Sequence, residues 1–230
     1  MRSGDEADHR PDGGGAACTI PCVKCLLVDD HALVRDALAL LSALHHPQVD
    51  LRQAGRLRDA LALLADEPNV DLMLLDLALP DSNGIATLSA LREAAPDTRI
   101  VVLSADERAE TVLAAIDGGA AGFIPKSTES GVLRQALATV LAGGVYLPSQ
   151  DGLAAGPDRA SASVADLGLT PRQIDVLRML VDGGSNKHIA RALDLAPSTV
   201  KTHLEAIFER LQVNSRTQAV VAAARLGLRF

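Results

Sequence analysis

Four apolar runs in this chain each lead into a polar group. Residues 26–28 run into Asp29 and Asp30, 72–75 into Asp76, 100–103 into Ser104, and Phe123-Ile124 stands just before Lys126. Unbroken apolar runs of this length are the mark of strands buried on both faces, as in a parallel sheet covered by helices. In an open α/β sheet the ligand site lies beyond the carboxyl ends of the strands. Three carboxylates, a hydroxyl and an ammonium from distant segments are therefore expected to meet at one place, a grouping suited to phosphoryl transfer.

The segments between these runs carry helical periodicity. Leu33, Ala37, Leu38, Leu40 and Leu41 form an apolar stripe, and a short strand is expected over 49–54. Leu57, Leu61 and Leu64 mark a second helix, Ile85, Leu88 and Leu91 a third, and Val112, Ala115 and Ile116 a fourth. Val132, Leu133, Ala136, Leu137 and Val140 mark a fifth, stopped by Gly143-Gly144. Alternation of this kind predicts an α/β fold with a five-stranded, doubly wound parallel sheet. Residues 148–166 are rich in Gly, Ala, Ser and Pro without periodicity, the pattern of a flexible linker.

The rear part reads as a small all-α unit. Thr170, Pro171 and Gln173 have the spacing of a capping box with proline at the first helical position. Ile174, Leu177, Leu180 and Val181 give that helix a buried side, and Gly183-Gly184 end it. A short helix is expected over 186–193, and Pro197 opens a third on which Val200, Leu204, Ile207, Phe208 and Leu211 share one face. After Asn214-Ser215-Arg216-Thr217 a last helix carries Ala219, Val220, Ala223 and Leu226.

Val28-Asp29-Asp30-His31, Leu74-Leu75-Asp76, Pro80 with Asn83-Gly84, Ser104-Ala105 and Lys126, in this order and spacing, resemble a bacterial response-regulator receiver domain. Leu169-Thr170-Pro171-Arg172, 185–190 and Thr199-Val200-Lys201-Thr202-His203 resemble a LuxR-type helix-turn-helix. Together they are similar to the NarL/FixJ family of two-domain regulators. The division this implies is a disordered tail over 1–23, a receiver over 24–145, a linker over 146–168 and a DNA-binding domain over 169–230.

The resemblance implies a role for each residue of the front cluster. Asp76 is the phosphorylation site, a carboxylate able to take a phosphoryl group as a mixed anhydride. Asp29 and Asp30 beside it would repel it unless a hard cation neutralised the group, and Mg²⁺ fits that task. Asp30 and Asp76 are the implied direct ligands, Asp29 binds directly or through water, and the Ala78 carbonyl adds an oxygen. Lys126 faces the acyl phosphate and Ser104 one of its oxygens. Phe123 is the aromatic that turns inward with Ser104. Pro125 before Lys126 departs from the common arrangement, in which proline follows the lysine.

On the third rear helix the flank opposite the apolar face carries Ser198, Thr199, Lys201, Thr202, His203 and Glu205, placed to enter a major groove. Lys201 is expected on phosphate or guanine, Thr202 on a base edge or thymine methyl, and His203 or Lys187 on the backbone. Ala196 stands where the family often has a capping serine. Glu205 replaces a frequently basic position. The last helix pairs, by resemblance, with its copy in a second subunit.

Charge agrees. Residues 170–230 hold nine Lys and Arg against five Asp and Glu, a net of +4, while the whole chain is −7, leaving −11 for the rest. An acidic front suits a divalent cation and a basic rear suits a polyanion. Cys18, Cys22 and Cys25 include a Cys-x-x-Cys spacing, but only His9 stands nearby to add a ligand, short of the four a structural zinc site uses. They are expected to belong to the tail and the first strand. No apolar run approaches the ~18 residues of a membrane span, and the polar, Gly-rich first twenty residues do not resemble a signal peptide.

The chain is thus expected to be a cytoplasmic transcriptional regulator and not an enzyme. A sensor histidine kinase, promoter DNA and a second copy are its partners. Two other readings share the sequence: a regulator that binds DNA without phosphorylation, and an Asp-nucleophile phosphatase. The second normally has an acid two residues after the nucleophile, where Ala78 stands.

Overall fold

A computed structural model of the chain describes residues 22–148 and 167–225. Residues 1–21 of the expected disordered tail, with His9 and Cys18, most of the linker, and Leu226 lie outside the described residues, while Val23, expected to end the tail, instead opens the first strand.

Five parallel strands form the front sheet: β1 (Val23–Val28), β2 (Val49–Ala54), β3 (Leu72–Asp76), β6 (Arg99–Ser104) and β7 (Gly122–Pro125), in the order β2-β1-β3-β6-β7. A two-residue hairpin, β4 (Ala78–Leu79) with β5 (Ser82–Asn83), follows β3. The helices between strands are α1 (Ala32–His45), α2 (Leu57–Asp66), α3 (Ile85–Ala94), α4 (Ala109–Asp117) and α5 (Ser130–Leu141). The apolar runs form strands because neighbouring residues bury on opposite faces. Leu26, Val28, Met73, Leu75, Ile100, Val102 and Phe123 pack toward α2, α3 and α4. Cys25, Leu27, Leu72, Leu74, Val101, Leu103 and Ile124 pack toward α1 and α5. Both faces being dry, alternation of polar and apolar residues is absent from the central strands.

The stripe expected on α1 divides differently. Leu38 is buried, but Leu33 is 85% exposed and Leu40 62%. Val34 and Leu38 supply the inward side with Leu41 half-buried. Leucines on both sides of one helix look alike in the sequence, and only the docking angle on the sheet selects among them. Val132 on α5 is also largely exposed, at 41%. Cys25 lies in the core on the α1 side while Cys22 is exposed. Burial pushes the Cys25 thiol up to about 12, so it stays a thiol at neutral pH.

The rear domain holds α6 (Pro171–Val181), α7 (Asn186–Ala192), α8 (Pro197–Leu211) and α9 (Arg216–Arg225) around a core of Val176, Leu177, Leu180, Ile189, Val200, Leu204, Ile207, Ala219, Val220 and Ala223. The capping box forms as expected: Thr170 Oγ1 accepts from Gln173 N at 3.3 Å and Gln173 Oε1 from Thr170 N at 2.8 Å. Ser185 caps α7 through His188 N. Ala196 caps α8 with extended backbone and no side-chain hydrogen bond.

The two domains touch. The glycine pair after α5 meets the pair after α6 so closely that a Cβ on Gly144 would lie 2.2 Å from the Gly183 carbonyl oxygen. Val221 on α9 joins the apolar cluster of the receiver.

Candidate functional site

The parallel register aligns the strand ends. Val28 pairs with Leu75, Asp76 with Leu103 and Ser104 with Pro125. The residues just past these ends therefore share one rim of the sheet, where strand order reverses between β1 and β3 and opens a crevice.

Asp29 is fully buried and Asp76 is 2% exposed. Lys126 Nζ reaches both, at 2.7 Å from Asp29 Oδ2 and 2.6 Å from Asp76 Oδ2. The ammonium offsets the charge of both carboxylates, and its own pKa shows the balance: burial alone would lower it, but hydrogen bonds to Asp29 and Asp76 raise it above the usual lysine value. Asp76 Oδ1 accepts from Ala78 N at 3.1 Å, and Asp29 Oδ1 accepts from His31 N at 2.9 Å.

Asp30 stands at the exposed mouth, with His31 Nδ1 2.7 Å from its Oδ1 and 3.2 Å from Asp29 Oδ1. Ligand atoms of Asp29, Asp30, His31 and Asp76 all lie within 4.8 Å of one another. His31 entered the sequence reading only as part of a motif; its position next to two aspartates in the chain was the available signal. The carboxylate oxygens form a hard donor set of the kind Mg²⁺ takes. Ala78 opens the hairpin beside them and is exposed.

Ser104 is 5% exposed at the end of β6. Its Oγ accepts from Asp106 N at 3.1 Å, and its carbonyl accepts from Lys126 N at 2.8 Å. Phe123 is wholly buried, one strand over. Of the five residues expected to converge, Asp29, Asp30, Asp76 and Lys126 meet at one place, and Ser104 stands on the same rim at the end of the neighbouring strand with its hydroxyl on Asp106 N. Two further carboxylates, not singled out in the sequence, brace the rim. Asp81 accepts from Leu57 N at 2.9 Å and Arg58 N at 3.1 Å, capping α2, and these backbone N–H groups, with that of Arg58 foremost, hold its pKa below the usual value. Asp106 accepts from Arg108 and Thr111 at the start of α4.

The DNA-facing candidates lie on one side of the rear domain. Lys187, Ser198, Lys201, Thr202 and Glu205 are exposed, and Thr199 and His203 are half-buried. Lys201 Nζ lies 3.9 Å from Glu205 Oε1, so the acid partly neutralises the lysine expected to read DNA. Thr202 Oγ1 donates to the Ser198 carbonyl at 3.3 Å. The face of α9 named in the sequence, Ala219, Val220 and Ala223, is packed in the core of its own domain. Arg216, given no role in the sequence reading, opens α9 and donates to Asn186 Oδ1 at 2.9 Å and to the Gly184 carbonyl. Burial, and then the charge of Arg99, lower its pKa to about 10.

Comparison with known proteins matches these two halves separately and together. The family model for the response regulator receiver domain matches residues 25–138, and that for the bacterial regulatory proteins of the luxR family matches 167–223. The glycerol metabolism activator of Pseudomonas putida is 36% identical over 208 residues, covering 87% of this chain and 94% of that protein. The nitrate/nitrite response regulator NarL of Escherichia coli K12 is 34% identical over 200 residues, 85% of this chain and 92% of that one. The DNA-binding transcriptional activator DevR/DosR of Mycobacterium tuberculosis is 36% identical over 210 residues, 89% and 95%. The structure of the response regulator RcsB with DNA covers 89% of this chain and 98% of its own at a TM-score of 0.51 and 20% identity, a likeness of fold. The acidic rim, the strand order and similarity to NarL over 85% of the chain agree, and the chain belongs to the NarL/FixJ family of DNA-binding transcriptional response regulators, with a receiver domain and a LuxR-type helix-turn-helix.

Proposed function

We propose that Asp76 accepts a phosphoryl group from a phosphohistidine of a sensor histidine kinase, with Asp29, Asp30 and the Ala78 carbonyl holding Mg²⁺. In this reading the receiver spans 24–145 and the DNA-binding domain 169–230. The observation that carries it is the position of Asp76: buried, 2.6 Å from the ammonium of Lys126 and within 4.8 Å of two more carboxylates. An Asp76 carboxylate oxygen attacks phosphorus, the P–N bond to the donor imidazole breaks, and the imidazole nitrogen leaves with the electron pair and takes up a proton. Mg²⁺, when bound, offsets the charge of the carboxylates and of the phosphoryl oxygens.

Lys126 then pairs with the acyl phosphate, and Ser104 Oγ turns from Asp106 N toward a phosphoryl oxygen. Phe123 follows into the space at the strand end. The phosphoryl group shifts a balance between two conformations because it makes contacts in only one of them. The output is binding of promoter DNA in the cytoplasm as a homodimer. Lys201, Thr202, Ser198 and Thr199 face the major groove, with Glu205 selecting against or for particular bases and Lys187 and His203 on the backbone.

The test is phosphorylation with radiolabelled acetyl phosphate, a small donor that bypasses the kinase. Wild type takes an acid-stable, base-labile label only with Mg²⁺, and Asp76→Asn takes none. A label that persists in Asp76→Asn overturns the assignment.

A further inference from the structure

Asp29 is held at each of its polar atoms. Its N–H donates to the Ala54 carbonyl at 3.1 Å, its Oδ1 accepts from His31 N at 2.9 Å, and its Oδ2 faces Lys126 Nζ at 2.7 Å. The remaining atom, its carbonyl oxygen, accepts from Arg35 Nη1 at 2.6 Å. That oxygen belongs to the peptide joining Asp29 to Asp30. A peptide unit is planar, so pinning its oxygen sets ψ of Asp29 and φ of Asp30 together, and with them the directions in which the two carboxylates leave the chain.

Arg35 is half-buried and lies in the first turn of α1. A cation there meets the positive end of the helix dipole, an unfavourable place for it. That turn carries no acidic residue, and the His31 side chain makes no cap, so nothing on the helix itself offsets the charge. The Asp29 carbonyl answers it, through a hydrogen bond strengthened by the charge of its donor. On another side the guanidinium is backed by Gly55, just past the end of β2, where a Cβ would stand 3.6 Å from Nη1. Asp29 is closed to solvent, so loss of Arg35 leaves its carbonyl unpaired or turns the peptide toward another donor.

We propose that Arg35 is a positioning residue for the cation site: through the Asp29 carbonyl it aims the Asp29 and Asp30 carboxylates at the metal. The inference rests on the reading of this rim as a Mg²⁺ site. Arg35 bonds a carbonyl and not a carboxylate, so its loss changes where the ligand oxygens stand while leaving the carboxylates and Lys126 in the chain. Carboxylates set in advance bind the ion without first ordering the 29–31 turn, which is the general gain from preorganisation. Partners that act on a metal's ligands from outside change its affinity by about 10- to 100-fold.

The test compares full-length wild type, Arg35→Gln and Arg35→Lys with Leu38→Ala, a core truncation on the same helix that leaves the Arg35 bond intact. Leu38 is buried, so its loss lowers stability by a cavity. Hydrogen exchange over 29–31 is read without metal. Binding of Mn²⁺, which takes the same oxygen ligands as Mg²⁺, is read by electron spin resonance, and labelling from acetyl phosphate is followed against Mg²⁺ concentration. Arg35→Gln exchanges faster over 29–31 and binds Mn²⁺ about tenfold more weakly. It needs about tenfold more Mg²⁺ for half-maximal labelling, while its rate at saturating Mg²⁺ stays near that of wild type. Arg35→Lys, which keeps a charged donor, recovers part of each loss. Leu38→Ala lowers the urea midpoint and binds Mn²⁺ as wild type does. Equal Mn²⁺ affinity in Arg35→Gln and wild type overturns the inference. So does a loss in Leu38→Ala as large as in Arg35→Gln, because Arg35 then acts only by steadying the helix. If wild type binds no Mn²⁺ while Arg35→Gln still loosens 29–31, the hold on the turn is upheld and it is the Mg²⁺ reading that fails.

Discussion

The Lys126 ammonium lies 2.6 Å from the carboxylate of Asp76, fifty residues earlier in the chain. It lies 2.7 Å from Asp29 as well, so one cation serves two buried anions. That arrangement ties the stability of the receiver to the chemistry of its pocket.

Lys126→Met leaves both carboxylates buried without a counter-charge. Removing one partner of a buried pair costs up to about 3 kcal/mol, and the partly open mouth keeps it from exceeding that. Urea unfolding reads the loss, and Mg²⁺ restores part of it because the ion replaces the missing charge. Equal midpoints for wild type and variant without Mg²⁺ contradict the pairing.

The pH dependence follows from the same ammonium. Its folded pKa is raised, so its contribution is complete below the unfolded lysine value of about 10.4 and is lost as pH rises through the folded value. Asp81 has a lowered pKa, so its contribution is present above the unfolded value of about 3.9 and is lost as pH falls through the folded one. Asp81→Ala therefore shallows the acid limb of a stability profile and leaves the alkaline limb unchanged, whereas Lys126→Met does the reverse at high pH.

Cys25, with its thiol near 12 and its side chain in the core, stays unmodified by maleimide at neutral pH while exposed Cys22 reacts. Mass spectrometry of tryptic peptides separates the two. Equal labelling in the native protein contradicts the packing of β1.

Ala196→Ser supplies the cap that α8 lacks. The backbone there is already extended, at φ −69° and ψ 145°, as a capping residue requires. The gain is about 1 kcal/mol, or roughly 4–8 °C for a domain this small. Calorimetry of the rear transition reads it, and no change in midpoint contradicts the capping account.

The sheet was legible because its strands are dry on both faces, so each reads as an apolar run ending at a functional residue. Asp76, Ser104 and Lys126 could be placed together for that reason alone. The outward face of α1 was not legible: Leu33 and Leu40 have the same chemistry as Leu38, and their exposure depends on how the helix docks. Helix α9 misled for a related reason. Residues 219–224 are all Ala or Val, so Ala219, Val220 and Ala223 in the domain core cannot be told by sequence from Val221 against the receiver. Asp106 and Asp81 were missed because an aspartate in a loop is ordinary until the backbone it caps is known.

The central claim is that Asp76 controls DNA binding. Duplexes selected from a random pool with Mg²⁺ and beryllium fluoride-loaded wild type supply the probe. Affinity for them is then measured for wild type and Asp76→Asn, each with and without the fluoride, at one salt concentration. Tighter binding on adding fluoride to wild type, and no change in Asp76→Asn, is the result this account predicts. Equal affinity in all four samples contradicts it and leaves a DNA-binding protein whose acidic pocket is not its switch.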